Sequence, residues 1–499
     1  MNRERRRFWL GAGAALVAGL LLRLWFVRHM ARVAGDSLIY GAIARNWLQH
    51  GVYGFSEVVG GLGSVAMRPT LIRLPGYPIF LAACFRLFGM ENYRAVLLVQ
   101  VAVDLATCCL AAALARRLFG RRVALAVLWL AAICPFTANY AAVALTETLV
   151  LNSIALAFFG FACWQDAGCG FNRWLWVVGA ALAWSVLLRP EQGLLAAAIL
   201  PAILWRSLAT PELSTTRQRR PSPAASVGPV FAAALCVVLP LVPWTARNWR
   251  TFHVFQPLAP RSATDPGEPQ FYGFNRWYRT WAIEFASTEN VYWNYDGNRI
   301  ELADMPARAF GLECTASRGV PRESLPLYTR TALLIDEYNQ QTSATPANDA
   351  HFAELARERI RATPICAYVA LPVGRLLNMT LRPRTEMMPV VLEWWRWGQH
   401  RAQTAFAACY AALNFGYVAA GLCGLCAWRR RAWASIDAIS FRELAFAMAA
   451  SLILRSALLL TLDNSEPRYT LEFFPVLLVG AGALFAASPG RTAARSGGE

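Results

Sequence analysis

The chain has 499 residues, of which 56% are hydrophobic and only 16% are charged. Soluble domains carry roughly a quarter charged residues, so this composition excludes an ordinary soluble protein. The formal net charge is +17, and all 48 basic side chains are arginine. Because this charge collects at the ends of apolar blocks and not on one soluble face, it does not predict nucleic-acid binding.

Long apolar blocks divide the chain from its first residues. A block of ~18 apolar residues can cross the ~30 Å hydrocarbon layer as a helix, and these blocks lack the alternation of a transmembrane barrel. The first block, from Phe8 to Val27, follows four arginines and is too long for the core of a signal peptide, so we expect an uncleaved helix. Further spans are expected at 94–114, 123–140, 146–164, 174–189, 192–208, 228–246, 403–427, 442–462 and 469–487.

Arginines follow every second span, which predicts that both termini are cytoplasmic. Two more apolar stretches, 75–88 and 364–381, contain proline and arginine. Counting either one alone as a span would place every later arginine-rich loop on the opposite side of the membrane. We therefore expect both to lie at the outer interface or to re-enter it. The predicted fold class is an all-α polytopic membrane protein of about ten to twelve transmembrane helices. Outer-face interfacial helices and a large outer loop region complete this prediction.

Three regions follow from this pattern. Residues 1–250 are predicted to form an N-terminal transmembrane module with a catalytic first outer loop. Residues 251–402 form an outer, periplasmic loop region with interfacial helices, and residues 403–499 form the C-terminal transmembrane helices. Most of the twelve cysteines fall inside apolar blocks, which favours packed small side chains over a disulfide framework or a metal site.

Two carboxylates lie where the chain enters apolar stretches. Asp36 follows the first span at the head of an amphipathic stretch. It could cap that helix, present an oxygen to a substrate, or do both. Glu147 enters the fourth span within an otherwise apolar run, where a carboxylate must be paired, bind a metal or face water. The alternative for Glu147 is a capping box beside Thr146.

Other charged residues in or near the spans have structural interpretations. Asp104, inside the second span, is expected to make a helix–helix hydrogen bond, with Arg455 as one candidate partner. Arg189 and Glu191 stand at the outer end of the fifth span. They form either a structural ion pair or a lid over a cavity.

Several short motifs occur in a fixed order along the chain. They are the carboxylate after the first span, R-L-P-G-Y-P (73–78), A-R-R-L-F-G (115–120), L-T-E (145–147), P-W-T-A-R-N (243–248) and E-P-R-Y (466–469). Together they resemble the GT-C superfamily, multispanning transferases that take a sugar from a polyprenyl-phosphate donor. The protein O-mannosyltransferase and lipid A aminoarabinose transferase types are the most similar. The resemblance covers the first seven spans well and residues 250–400 hardly at all.

The resemblance implies a GT-C-like bundle and a role for each matching residue. Asp36 matches the carboxylate that serves as candidate general base, and Glu147 matches a second acidic position in the same cavity. Arg73 lies near the family's basic residue at the donor phosphate, although Arg73-Leu74-Pro75 departs from the frequent Lys-Pro-Pro. Arg468 matches an arginine that faces the cavity, and Arg382 is a further candidate for the phosphate. The substrate cavity is expected to include Tyr40, Tyr77, Tyr469, Arg189 and Glu191.

The implied function is a membrane glycosyltransferase of the cell envelope, a hexosyl- or pentosyltransferase. It would move sugar to a hydroxyl or phosphate of a glycan, lipid or protein acceptor at the periplasmic face of a bacterial inner membrane. A carboxylate would take the acceptor proton and arginine would meet the lipid phosphate. Mg²⁺ or Mn²⁺ on Asp36 and Glu147 is the one cofactor expected, and membrane lipids but no nucleic acid are expected as partners. The alternatives are a multispan lipid or glycan transporter or flippase, whose two related halves are not seen, and a non-catalytic assembly protein.

Overall fold

The computed structural model describes residues 3–59, 64–209, 223–310, 325–434 and 439–486. Up to residue 252 the elements are, in chain order, α1 (Arg3–His29), α2 (Asp36–His50), β1 (Gly54–Val59), β2 (Ser64–Pro69), α3 (Gly76–Phe88), α4 (Tyr93–Phe119), α5 (Arg121–Ala132), α6 (Pro135–Tyr140), α7 (Glu147–Asp166), α8 (Arg173–Leu188), α9 (Gly193–Ala209), α10 (Pro223–Val238) and α11 (Leu241–Phe252).

Beyond residue 252 the helices are shorter until the C-terminal part. They are α12 (Tyr272–Tyr278), α13 (Phe285–Ser287), α14 (Ala307–Phe310), α15 (Leu325–Gln341), α16 (Pro346–Ala362), α17 (Leu371–Leu381), α18 (Arg401–Ala434), α19 (Ile439–Leu459) and α20 (Phe474–Ala483). Two π-helical turns, Thr288–Tyr292 and Cys366–Ala370, and 3-10 turns at Pro190–Gln192, Leu302–Asp304 and Pro467–Phe473 join some of them.

Five stretches of helix are long and apolar enough to cross a membrane among the described residues. They are Arg3–His29, Tyr93–Phe119, Glu147–Asp166, Val227–Phe252 and Arg401–Arg429. The pair Pro346–Ala362 and Cys366–Leu381 is bent by 105°, and counts as a sixth if it is one broken span. This bend agrees with the expectation that 364–381 is not a straight crossing.

Helices also occupy the other predicted spans, but breaks or charges keep them below the length and hydropathy of a single straight crossing. The predicted span 123–140 is interrupted before Pro135, where α5 has ended and α6 begins. Helix α9 has 17 residues and contains Pro201, whereas α20 has only 10 after a 3-10 turn. Proline removes an N–H donor and clashes with the preceding turn, so such breaks are expected where it occurs.

The chain folds into two compact units. Unit 1 comprises Met1–Pro266, Gly416–Leu454 and Leu471–Glu499, and unit 2 comprises Gly267–Phe415 and Arg455–Thr470. This division differs from the three predicted regions, because the last hundred residues contribute to both units. Hydropathy marks apolar stretches but does not tell which helices pack together.

Close helix packing in unit 1 depends on two glycines. A Cβ at Gly76 would lie 2.6 Å from the Leu187 carbonyl oxygen, and one at Gly424 would lie 1.9 Å from the Gly480 carbonyl oxygen. Any larger residue would therefore push α3 away from α8, or α18 away from α20. Small residues at helix contacts are typical of membrane bundles, where backbones approach closely. The first of these contacts brings the R-L-P-G-Y-P segment to the end of α8.

A β-hairpin in the first outer segment was not predicted. Strands β1 and β2 pair antiparallel, with Gly54 opposite Pro69 and Phe55 opposite Arg68. The amphipathic stretch before it forms α2. The sequence pattern predicts that its Leu38, Ile43, Trp47 and Leu48 face lipid, and Leu38, Trp47 and Leu48 are exposed. Ile43, expected beside them, is instead buried in a cluster with Tyr53, Leu71, Leu74 and Trp244.

Unit 2 has its own aromatic core. Phe274, Trp277 and Phe352 are fully buried in it, and both oxygens of Asp349 on α16 accept from backbone N–H groups that open α12, at 2.8 and 2.9 Å. The sequence of residues 351–361 has an amphipathic helical pattern with Phe352, Leu355 and Ile360 on its apolar side. Phe352 and Leu355 are buried in this core, whereas Ile360 is half-buried. Cys366 is disulfide-bonded.

Candidate active site

Asp36 and Arg73 form an ion pair on the first outer segment. Helix α2 begins at Asp36, and the residue before it, Gly35, has φ of 55°, which glycine adopts without strain. The Arg73 Nη2 atom donates to Asp36 Oδ1 at 2.8 Å. The side chains remain 20% and 25% exposed, so the pair is accessible. The N-cap residue is glycine, so the predicted capping role of Asp36 gives way to this pairing with arginine.

Tyr40 lies next to this pair, one turn along α2. Its ring packs edge-to-face on Tyr77 with ring centres 5.0 Å apart, and the Arg73 guanidinium carbon lies 5.7 Å from its ring centre. Burial raises the pKa of Tyr40 to about 12, and Arg73, Asp36, Arg189 and Glu147 are close enough to add smaller effects. The predicted cavity residues Tyr40 and Tyr77 therefore lie among the four predicted charges, and the phenol stays protonated at ordinary pH.

Glu147 pairs with Arg189, and both charges lie near Tyr40. The Arg189 Nη1 atom lies 3.5 Å from Glu147 Oε1 and 3.2 Å from Glu472 Oε1, while its Nε atom lies 3.1 Å from Glu191. The Glu147 side chain is 1% exposed, so it is buried, whereas Asp36 is accessible to solvent. Thr146 makes no side-chain cap to α7, so the predicted capping box is absent. The predicted Arg189–Glu191 ion pair is present and belongs to a larger cluster.

Backbone contacts hold the two carboxylate-bearing helices together. The Arg32 N–H donates to the Ala142 carbonyl at 3.2 Å, which joins the approaches to α2 and α7. Tyr77 donates to Gln100 Oε1 at 2.8 Å, and Gln100 Nε2 donates to the Val143 carbonyl at 2.7 Å. The motif tyrosine thus helps to fix the loop that leads to Glu147.

The carboxylates of this cluster are matched by arginine rather than arranged around a metal. Among the described residues, no group of three or more histidine, cysteine, aspartate or glutamate side chains could hold an ion. Asp36 is paired with Arg73, and Glu147 with Arg189. As arranged, these donors do not form a ready site for the expected Mg²⁺ or Mn²⁺, which prefer several oxygen ligands.

The other three predicted residues belong to unit 2. Arg468 pairs with Glu466, and Tyr469 donates to the same carboxylate at 2.8 Å. Arg382 is buried with its guanidinium carbon 4.8 Å from the Phe285 ring centre. The roles of Arg468 and Arg382 at a donor phosphate, and of Tyr469 in the substrate cavity, remain predictions.

Two buried acidic residues acquire partners that the sequence did not indicate. Glu472 joins Arg189 and also accepts a hydrogen bond from Gln192 Nε2. The position of Glu472 near the edge of the tenth predicted span could have indicated this, because an ionisable residue at such depth needs a partner. Asp104 pairs with Arg23 at 2.6 Å, whereas Arg455, the candidate partner, donates to the Tyr469 carbonyl.

Part of the chain matches a known protein family. Residues 68–244, which include Arg73, Tyr77, Glu147, Arg189 and Glu191, match the family model of dolichyl-phosphate-mannose-protein mannosyltransferases. This match confirms the resemblance to the GT-C superfamily. No curated protein matches the chain significantly.

Two solved structures are similar to the chain. The archaeal oligosaccharyltransferase AglB from Archaeoglobus fulgidus, in complex with an inhibitory peptide and a dolichol-phosphate, is 11% identical, with a TM-score of 0.47 over 99% of this chain and 52% of its own. ArnT from Cupriavidus metallidurans, bound to undecaprenyl phosphate, is 14% identical, with a TM-score of 0.38 over 95% and 77%. The chain spans about half the length of the oligosaccharyltransferase.

Proposed function

We propose that this chain, whose residues 68–244 match the family model of dolichyl-phosphate-mannose-protein mannosyltransferases, is a multi-pass membrane glycosyltransferase of the GT-C type. It moves a hexosyl or pentosyl group from a polyprenyl-phosphate donor to a hydroxyl or phosphate of a glycan, lipid or protein acceptor. The observation that carries this proposal is the accessible Asp36–Arg73 pair, which joins a proton acceptor to a phosphate-binding cation within 2.8 Å.

The two members of the pair divide the chemistry. With a hydroxyl acceptor, the oxygen attacks the anomeric carbon, its proton passes to the Asp36 carboxylate, and the bond between that carbon and the phosphate oxygen of the donor breaks. An ionised phosphate acceptor attacks in the same way but has no proton to transfer. The departing polyprenyl phosphate keeps the electron pair, and Arg73 meets its growing negative charge. Asp36 takes the role of base because its side chain is 25% exposed, whereas that of Glu147 is 1% exposed.

Glu147 supports this chemistry from within the cluster. It shares Arg189 with Glu472, and so gives that arginine a defined position beside Tyr40. In this proposal, Asp36 accepts the proton and Arg73 stabilises the departing phosphate, and neither step uses a metal. Mg²⁺ or Mn²⁺ on Asp36 and Glu147 stays a prediction, which the restoration of EDTA-treated enzyme by either ion would support.

The test is sugar transfer by purified Asp36→Asn with a hydroxyl acceptor. General acid–base catalysis contributes roughly 10²–10⁴-fold, so kcat should fall by that factor while the protein folds and inserts normally. Glu91→Gln, an exposed carboxylate of the same outer segment, is the matched control and should keep full activity. Full transfer by Asp36→Asn would refute the base assignment. Net movement of the lipid-linked sugar across liposomes without transfer would favour a transporter.

We further propose that the site faces the periplasm of a bacterial inner membrane, with both termini cytoplasmic. Arginines follow alternate predicted spans, as the positive-inside rule requires. The disulfide at Cys366, within the predicted outer region, supports the same side, because disulfides persist in oxidising compartments. An impermeant thiol reagent should label Cys366 in intact spheroplasts only after reduction.

A further inference from the structure

The segment that carries Arg73 is held by residues far away in the sequence. Residues 70–75 connect strand β2 to helix α3 without helix or strand. Thr70 is nevertheless fully buried and Leu71 is 2% exposed. An irregular segment can place an arginine accurately only if its backbone groups have fixed partners.

Arg247, in the motif P-W-T-A-R-N, supplies two of these partners. Its Nη1 atom donates to the Thr70 carbonyl at 2.7 Å and its Nη2 atom donates to the Tyr53 carbonyl at 2.9 Å. The Tyr53 carbonyl also accepts from the Thr70 N–H at 3.0 Å, and the Tyr53 hydroxyl donates to the Arg73 carbonyl at 3.0 Å. The fork of Arg247 therefore joins the segment that carries Arg73 to Tyr53, whose hydroxyl binds the Arg73 carbonyl.

The Arg247 guanidinium is itself fixed by aromatic rings. Its central carbon lies 5.3 Å from the ring centres of Tyr53, Trp244 and Phe252. Cation–π contacts of this kind favour arginine, whose planar fork also spans two carbonyls. Lysine would keep the charge but could not reproduce the paired geometry.

Asp265 holds the same segment from the other side. Its Oδ1 atom accepts from the Leu71 N–H at 2.8 Å, and its Oδ2 atom lies 3.4 Å from Arg68 Nη1. The Asp265 side chain is 6% exposed, so these bonds form away from bulk water. Hydrogen bonds to charged groups are stronger than those between neutral groups, so both anchors hold the segment firmly.

We propose that Arg247 and Asp265 are positioning residues that hold Arg73 against Asp36 and toward the phosphate of the lipid donor. This inference rests on the proposed function, because it assigns Arg247 no contact with substrate and lets it act through Arg73 alone. It also explains why an arginine follows the seventh predicted span within the motif P-W-T-A-R-N.

The test is a double-mutant cycle on binding of undecaprenyl monophosphate in detergent. Arg73→Gln and Arg247→Lys should each raise Kd by about tenfold, the equivalent of one charge-assisted hydrogen bond. The double variant should bind no more weakly than Arg73→Gln, because a positioning residue has no effect once its target is gone. Arg250→Lys, an exposed arginine on the same helix, should bind as the wild type does.

Each outcome has one meaning. Additive losses in the double variant, or unchanged binding by Arg247→Lys, would overturn the positioning role. Unchanged binding by Arg73→Gln would instead contradict the phosphate role of Arg73 in the proposed function. Asp265→Asn keeps an oxygen for the Leu71 N–H and should bind within about threefold of wild type, while Asp265→Ala should lose about tenfold. Equal losses in both Asp265 variants would also overturn the inference.

Discussion

The Arg189 guanidinium lies 3.2 Å from the Glu472 carboxylate, although 283 positions separate them in the sequence. The same Nη1 atom lies 3.5 Å from Glu147. One arginine thus joins the end of α8 to the start of α7 and to the turn before α20. Because the three side chains are 11%, 1% and 5% exposed, this contact binds the last helix of unit 1 to the site through buried charge.

Removing Arg189 should cost more stability than removing the charge of Glu472. Arg189→Gln leaves Glu147 and Glu472 buried without their shared cation, which costs about 3–5 kcal/mol for a broken buried pair. Glu472→Gln keeps an acceptor for Arg189 and should cost about 1 kcal/mol. Unfolding of the purified protein in a denaturing-detergent titration measures both.

The exposed pair Arg45–Glu91 is the matched control, because its side chains are 34% and 41% exposed. Arg45→Gln should cost less than about 1 kcal/mol. Combining Glu472→Gln with Arg189→Gln should recover part of the loss, since one buried carboxylate disappears. If Arg189→Gln is as mild as Arg45→Gln, the cluster does not stabilise the fold.

Tyr40 should make stability depend on alkaline pH. Its pKa is about 12 when folded, against 10.0 for the ordinary group, because burial disfavours the phenolate. A raised folded pKa adds stability that is complete below pH 10 and is lost as the pH rises through 12. At pH 11 the wild type should have lost about 1.4 kcal/mol relative to pH 8 from this group.

The measurement compares wild type and Tyr40→Phe in the same detergent titration at pH 8 and pH 11. Phenylalanine does not ionise, so the stability difference should shift by about 1.4 kcal/mol in favour of the variant at pH 11. Leu38→Ala, at an exposed position on the same helix, removes no titratable group and should show a constant difference. A constant difference for Tyr40→Phe as well would contradict the enclosed position of Tyr40.

The helical architecture and part of the site could be predicted because they depend on local sequence signals. Hydropathy located the helices, and the order of short motifs brought Asp36, Arg73 and Tyr40 into one site. The capping interpretation of Asp36 was wrong because the start of a helix looks the same whether its carboxylate caps or pairs. Its actual partner, Arg73, is 37 positions away in the sequence.

Features that depend on tertiary docking could not be predicted. Glu472 finds Arg189 only when α20 packs beside α8, and no periodicity in either helix encodes that choice. The hairpin β1–β2 was missed because two six-residue strands leave a weak pattern beside long apolar helices. Arg247 could be identified as part of a motif, yet its carbonyl partners lie on that hairpin and the segment that follows it.

Arg23 and Asp104 form a second buried pair, between α1 and α4, 2.6 Å apart and 0% and 2% exposed. Arg23 also donates to the Ala132 carbonyl at 2.7 Å at the end of α5. We expect Arg23→Gln to reduce the stability of the fold by about 3–5 kcal/mol, since it leaves a carboxylate buried between helices.

Arg117→Gln is the matched control. It breaks a pair with Asp166 whose side chains are 37% and 55% exposed, and should cost less than about 1 kcal/mol. The double change Arg23→Leu with Asp104→Leu should be milder than Arg23→Gln alone, because no charge remains to be buried. A double variant less stable than the single one would mean that the pair is net stabilising to the bundle.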